Sequence, residues 1–148
     1  MDNGQNIAAG CVCVHGIGVL ILGDSGSGKS SLALSLIQNG ARLVSDDRTV
    51  VFNEDGCLWA TAPISISGMM EVRGIGLVRG FEVAEKAPVR LLIRLKRQKE
   101  ERLPVQVKEN FMGQEVYSFS FYKNDFALTN KIMLAIRIAL QELVLVPV

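Results

Sequence analysis

The run Gly23-Asp24-Ser25-Gly26-Ser27-Gly28-Lys29-Ser30 satisfies GxxxxGK[ST], a set of residue types and spacings suited to binding a polyphosphate. Glycines let the backbone turn so that successive N–H groups converge on phosphate oxygens at the positive end of a following helix. Lys29 supplies a point charge to the β- and γ-phosphates, and the Ser30 hydroxyl is placed to hold Mg²⁺. The plainer alternative is a Gly/Ser-rich turn with a solvated lysine. The setting favours the site, because an uninterrupted apolar stretch precedes the loop and a run with helical spacing follows it.

Other candidate groups lie downstream. Asp46 and Asp47 close a short apolar run, and in an open parallel sheet they would stand at the carboxyl edge beside the phosphate loop. One can orient a magnesium shell and the other can accept a proton from an incoming hydroxyl, although an Asp turn after a strand reads the same. In Glu71-Val72-Arg73-Gly74-Ile75-Gly76 an extended backbone puts Glu71 and Arg73 on one face, and the glycines permit close approach. A surface ion pair ahead of a loop is the alternative. Lys86, Arg90, Arg94, Lys96, Arg97, Lys99, Arg102 and Lys108 face only Glu100 and Glu101 in that stretch, as a contact for an acidic partner or as a solvated face. His15 reads as an exposed turn residue, and Trp59, Met69 and Met70 as packing.

These groups need elements to hold them. Cys11 to Val14 and Val19 to Leu22 read as strands around a turn at His15 to Gly18, the second of them buried on both faces. Ser30 to Gln38 reads as a helix with Leu32/Leu36 and Ala33/Ile37 four apart and a left-handed stop at Asn39-Gly40. Arg42 to Ser45 is a strand, Val50 to Phe52 and Cys57 to Thr61 form a hairpin around Asn53 to Gly56, and Val89 to Leu95 is a further strand. In that strand Leu91, Ile93 and Leu95 share one face, opposite Arg90, Leu92, Arg94 and Lys96. Val116 to Phe121 is a strand and Asn130 to Leu143 the second helix. The expected fold class is α/β, a phosphate-loop domain with a central mixed sheet and flanking helices, in one domain over residues 1–148.

At 148 residues the chain is long enough to bury roughly 70% of its unfolded surface, so neither disulfides nor a structural metal are needed for a core. A net charge of +1 argues against a nucleic-acid protein resting on general basicity. Cys11 and Cys13, read as alternating onto opposite strand faces, offer poor disulfide geometry, and with Cys57 they suit a reducing compartment. One histidine without CxxC spacing leaves too few ligands for zinc. The N-terminal MDNGQNIAAG lacks the order of a signal peptide and no apolar run reaches about 18 residues, so a cytoplasmic protein off the membrane is expected.

GVLILGDSGSGKS, then LVSDD, then MMEVRGIGLV together resemble the catalytic domain of HPr kinase/phosphorylase, bacterial enzymes that act on a serine of the phosphocarrier HPr. The resemblance covers about Cys11 to Val78 and continues weakly to ERLP at Glu101 to Pro104. It implies ATP and Mg²⁺, bound by Gly23 to Ser30, with Lys29 on the phosphates and Glu71 joining Ser30 around the metal. It makes Asp47 the base toward the target serine, leaves Asp46 to the metal shell, and places Arg102 on the transferred phosphoryl group. It also implies HPr or a homologue as partner, a homo-oligomer (hexameric in the family), and a reverse phosphorolysis. The chain is similar to short forms without the family's N-terminal domain.

Two departures stand out. The family histidine 22 residues before the loop's final serine falls on Ala8, and Tyr122-Lys123-Asn124-Asp125 replaces a Pro/Gly/Arg-rich loop tied to dephosphorylation. Both speak against full bifunctionality. Three readings follow: a serine kinase of this family in phosphotransferase-system regulation, a nucleotide-binding regulatory protein with lost turnover, or a small-molecule kinase. The third is disfavoured by the lack of a dedicated substrate insert.

Overall fold

The computed structural model describes residues 4–104 and 106–147. Strands β1 (Gln5–Val14) and β2 (Ile17–Leu22) form an antiparallel hairpin whose turn, His15 and Gly16, has φ of 48° and 82°. Two consecutive left-handed residues are what a tight two-residue hairpin turn requires. Pairing therefore begins at Ile17, and β1 reaches back to Gln5, well before the expected start at Cys11.

Helix α1 (Lys29–Gln38) follows the glycine loop and stops where Gly40, at φ 102°, sends its N–H to Ile37 O while Ala41 N–H reaches Leu36 O. That double bond pattern with glycine in the left-handed conformation is the expected stop. Strand β3 (Arg42–Ser45) returns to the sheet, and β4 (Arg48–Glu54) with β5 (Cys57–Thr61) makes the expected hairpin. Its turn is Asp55-Gly56, both at positive φ, rather than the four residues from Asn53. A small hairpin of β6 (Met69–Val72) and β7 (Gly76–Arg79) carries Glu71 in strand, while Arg73 falls in the turn; the two do not share a strand face. Then come β8 (Lys86–Lys96), β9 (Lys108–Phe111), β10 (Gln114–Tyr122) and α2 (Leu128–Ala139).

The main sheet runs β3-β1-β2-β8-β10-β9. Strand β2 is parallel to β8, β8 to β10, and β3 matches β2 because both are antiparallel to β1. An antiparallel strand thus separates the phosphate-loop strand from the Asp46-Asp47 strand, unlike an open parallel sheet; the four parallel strands still end at one edge. The long strands β1 and β8 bend into a second pairing: the start of β1 meets β4, and the start of β8 meets β5. Strands β2, β1, β4, β5 and β8 so close a ring.

The sheet separates two cores. On one face Val12, Val19, Ile21, Leu91 and Ile93 meet Leu32 and Leu36 of α1 and Ile132 and Ile136 of α2. On the other, Ala9, Cys11, Leu20, Leu92, Val51 and Leu58 fill the space inside the ring. Both helices lie on one face, and the other is closed by the β4–β5 hairpin, so the helices do not sandwich the sheet. The alternation of Leu91, Ile93 and Leu95 against Leu92 follows the pleat as expected. Cys11 and Cys13 do not point apart: residues two apart in a strand share a face, and both sit in the ring core as free thiols. Burial, reinforced by neighbouring Cys13, pushes the Cys11 thiol far up, so it stays protonated and inert. Met70 is in the helix-side core, while Trp59 is partly exposed with Lys86 Nζ 4.5 Å from its ring centre.

Helix α2 begins two residues earlier and ends four residues earlier than its spacing suggests. Gln141 turns left-handed at φ 64°, its N–H bonds Ile138 O, and Glu142 N–H bonds Arg137 O. A non-glycine residue fills the stop, so no composition signal marked it.

Candidate functional site

The phosphate loop leaves the end of β2 and enters α1 with Gly26 at φ 77° and Gly28 at φ 96°, conformations that suit glycine. Gly23 has a different reason to be glycine: an added Cβ would lie 2.5 Å from Ser27 Oγ and 3.2 Å from Leu95 O. The loop is folded tightly on itself, with Ser27 N–H bonded to Asp24 O at 3.0 Å. Lys29 is only 8% exposed and its Nζ donates to Gly23 O at 2.9 Å and Asp24 O at 3.0 Å. Two of its three N–H donors are used, and one remains for an anion. Ser27 Oγ is buried with no hydrogen-bond partner. A buried hydroxyl left unpaired costs about 1–3 kcal/mol, and Ser27 lines the cavity over the loop, where an oxyanion would offer it a partner.

Asp46 is the hinge of the site. It is buried, Ser30 Oγ donates to its Oδ1 at 2.7 Å, and the Glu71 backbone N–H donates to its Oδ2 at 3.2 Å. One carboxylate thus ties α1, the end of β3 and the β6–β7 hairpin together. Asp47, next in the chain, is exposed and left-handed at φ 67°, at the centre of a turn closed by Arg48 N–H to Asp46 O at 2.7 Å. An i to i+2 bond around a positive φ is the rare, strained γ-turn, and Ser45 Oγ bonding to Arg48 O braces it. The turn divides the acidic pair, one carboxylate buried against Ser30 and the other free toward solvent.

The remaining candidates fall in different places. The Glu71 carboxylate is on an exposed residue whose backbone is fixed by Asp46. Ala8 is exposed, faces Arg48 across the β1–β4 pairing, and lies one residue past the last β1–β2 pair, Ala9 opposite Leu22. The position is therefore at the edge where the phosphate loop departs. Arg102 is not in the lining of the phosphate-loop cavity; it lines a separate groove of about 850 Å³ with Lys96, Lys99, Phe119, Phe121 and Leu134. In the basic stretch, Arg94 pairs with Glu109 at 2.8 Å, so part of that charge is internal structure. His15 is in an exposed turn, away from these contacts. Among the described residues no cluster of three His, Cys, Asp or Glu could hold a metal alone. The Ser30 hydroxyl, held on Asp46, is an oxygen donor of the kind Mg²⁺ takes beside phosphate oxygens and waters.

Sequence reading singled out residues 122–125 only as a departure from the family and did not anticipate that this segment, with Phe126 and Thr129, closes the cavity from the other side. Lys123, Asn124, Asp125, Phe126 and Thr129 line the phosphate-loop cavity of about 370 Å³ opposite Ser27 and Ser35. The signal available was topological, since β10 is parallel to β2 and its end must reach the same edge.

A glycine loop at a helix N-terminus, backed by a strand-end carboxylate on its serine, stands at the edge of an α/β domain with a mixed sheet. Residues 2–125 match the model of the HPr Serine kinase C-terminal domain, and the chain belongs to that family. It is 45% identical over 97 residues to an HPr kinase/phosphorylase of Clostridium novyi, covering 62% of this chain and 32% of the relative. With that of Levilactobacillus brevis it shares 44% over 75 residues, 50% of this chain and 24% of the relative. The chain thus spans about a third or less of the length of these relatives. A solved structure, the Hpr(Ser) kinase/phosphatase from Coxiella burnetii, superposes with a TM-score of 0.78 at 27% identity, covering 93% of this chain and 92% of that one. Among the described residues no helix is long and apolar enough to cross a membrane.

Proposed function

We propose that this domain transfers a phosphoryl group from ATP to a seryl residue of the phosphocarrier HPr or a homologue, in regulation of the phosphotransferase system. The observation that carries this reading is the Asp46 carboxylate holding Ser30 Oγ at 2.7 Å and the Glu71 backbone at 3.2 Å beside the Lys29 loop. The loop amides and Lys29 bind the β- and γ-phosphates and neutralise charge as it shifts to the leaving oxygen. Ser30 and Glu71 would hold magnesium, which would supply positive charge to the phosphates. Asp47 takes the seryl proton as the serine oxygen bonds phosphorus and the bond to the ADP oxygen breaks. A serine on a protein suits an exposed base, and Ile64, Ile75 and Leu77 are exposed apolar side chains in and just ahead of the hairpin that carries Glu71. Arg102 would act on the transferred group only by movement of its segment or from a neighbouring copy in a homo-oligomer, for which the family resemblance suggests a hexamer. The missing histidine at Ala8 and the altered 122–125 segment speak against full bifunctionality, the second of them bearing on phosphorolysis.

Incubation with ATP, Mg²⁺ and HPr should give a seryl phosphate, at a higher rate with Ala8→His. No transfer by either form, with ATP bound by both, would replace this reading with that of a nucleotide-binding regulatory protein, which Ala8 favours.

A further inference from the structure

We infer that Phe126 is a stacking platform for the base of the nucleotide, an inference that rests on the phosphate loop binding a nucleoside triphosphate. The cavity over the loop measures about 370 Å³, within the roughly 300–1,000 Å³ usual for small-molecule sites. One wall is the loop and the first turns of α1, with Ser27, Ser31 and Ser35; the other is the segment after β10, with Lys123, Phe126 and Thr129. Phe126 is the one aromatic side chain in that lining, and it is fully exposed at 103%. An isolated exposed phenyl ring means little by itself. What distinguishes this one is how firmly its backbone is held.

Lys123 N–H bonds Lys96 O at 2.8 Å, Asp125 N–H bonds Tyr122 O at 3.1 Å, and Leu128 N–H bonds Asp125 O at 3.1 Å. The Asp125 carboxylate accepts from Ala127 N–H at 2.8 Å and pairs with Lys131, which also holds Glu100 at 2.9 Å. The ring therefore stands on a pre-ordered loop across from the phosphate cradle, so only its own side-chain rotation, and not the backbone, has to be fixed when a second flat group settles on it. A nucleotide anchored by its phosphates at Gly26 to Lys29 must place its base along this cavity or out in solvent. The aromatic face offers it a partner whose attraction is tolerant of base identity, since every base has a π-face. Lys123 lines the same wall.

The test compares Mg²⁺-ATP with Mg²⁺-tripolyphosphate by calorimetry on the wild type, F126A and F126W. F126A should weaken ATP by about 5- to 100-fold and leave tripolyphosphate unchanged. F126W should retain ATP affinity, with indole fluorescence quenched by ATP more than by tripolyphosphate. Unchanged ATP affinity in F126A, or equal weakening of both ligands, overturns the platform and leaves the phosphate site standing. A wild type that binds neither ligand overturns the phosphate-loop reading itself, and the platform with it.

Discussion

At the scale of single residues the phosphate loop makes sharp demands. Lys29 is buried with its ammonium on two loop carbonyls, so Lys29→Met keeps the stem and removes the charge. Charge-assisted hydrogen bonds are worth about 1.5–3 kcal/mol, so affinity for tripolyphosphate should fall by roughly ten- to a hundredfold, and the melting temperature should fall as well because Gly23 O and Asp24 O lose their donor. Retained affinity in a titration would remove Lys29 from the anion site. Gly23→Ala asks a different question. Its Cβ would meet Ser27 Oγ at 2.5 Å, and overpacking of this kind costs about 1–3 kcal/mol. Lowered melting temperature together with weakened phosphate binding is expected; an intact loop would show that the close approach is not needed. The loop's shape was legible in the residue types. The division of the acidic pair was not, because it depends on a γ-turn at Asp47 that nothing in an Asp-Asp dipeptide announces.

At the scale of elements, the segment between β10 and α2 is held by charge. Hydrogen bonds from Lys131 and the Ala127 N–H hold the Asp125 carboxyl below the usual carboxylate range, and bonds from Tyr122 N–H and Lys131 do the same for Glu100. Lys131 is raised in turn by Asp125 and Glu100. A carboxylate with a lowered folded pKa contributes fully above its unfolded pKa and loses that contribution as pH falls through the folded value. The raised lysine contributes below its unfolded pKa and is lost only as alkaline pH rises through the folded one. The segment should thus hold steady through neutral pH and loosen below about pH 4. Hydrogen exchange of the Tyr122 and Ala127 amides should accelerate there beyond the intrinsic pH dependence, and Lys131→Met should reproduce the loosening at neutral pH. Protection indifferent to both changes would show that backbone bonds alone hold the loop. All these residues are visible in the chain, but Glu100 and Lys131 are 31 positions apart and only the parallel β8–β10 pairing brings them together.

At the scale of the whole molecule, two cores share strands β1, β2 and β8, so neither face should come apart alone. Leu20 lies in the ring core and Ile21 in the helix-side core, both fully buried. Leu20→Ala and Ile21→Ala should each cost about 2–5 kcal/mol in denaturant unfolding. Trp59, the single tryptophan, reports on the ring side, and far-ultraviolet dichroism reports on helices packed against the other. Their transitions should coincide in both variants; separated midpoints would mean two independently stable halves.

Local order was readable wherever it arises from neighbours in the chain. The phosphate loop, α1 with its Gly40 stop, β3, the β4–β5 hairpin and the alternation in β8 all follow from short-range sterics and from which face an apolar side chain must bury. The start of β1 at Gln5, the β6–β7 hairpin, the end of α2 at Gln141 and the antiparallel strand between β2 and β3 have no such local signal. The first and last of these take their conformation from partners far along the chain; the β6–β7 hairpin and the Gln141 turn are closed by near neighbours that their composition did not mark. The same reason governs the site: the residue types that can hold a phosphate are written in one octapeptide, whereas Asp46 on Ser30, Arg102 in a separate groove and Phe126 across from the loop are decided by how strands from distant parts of the chain converge on one edge.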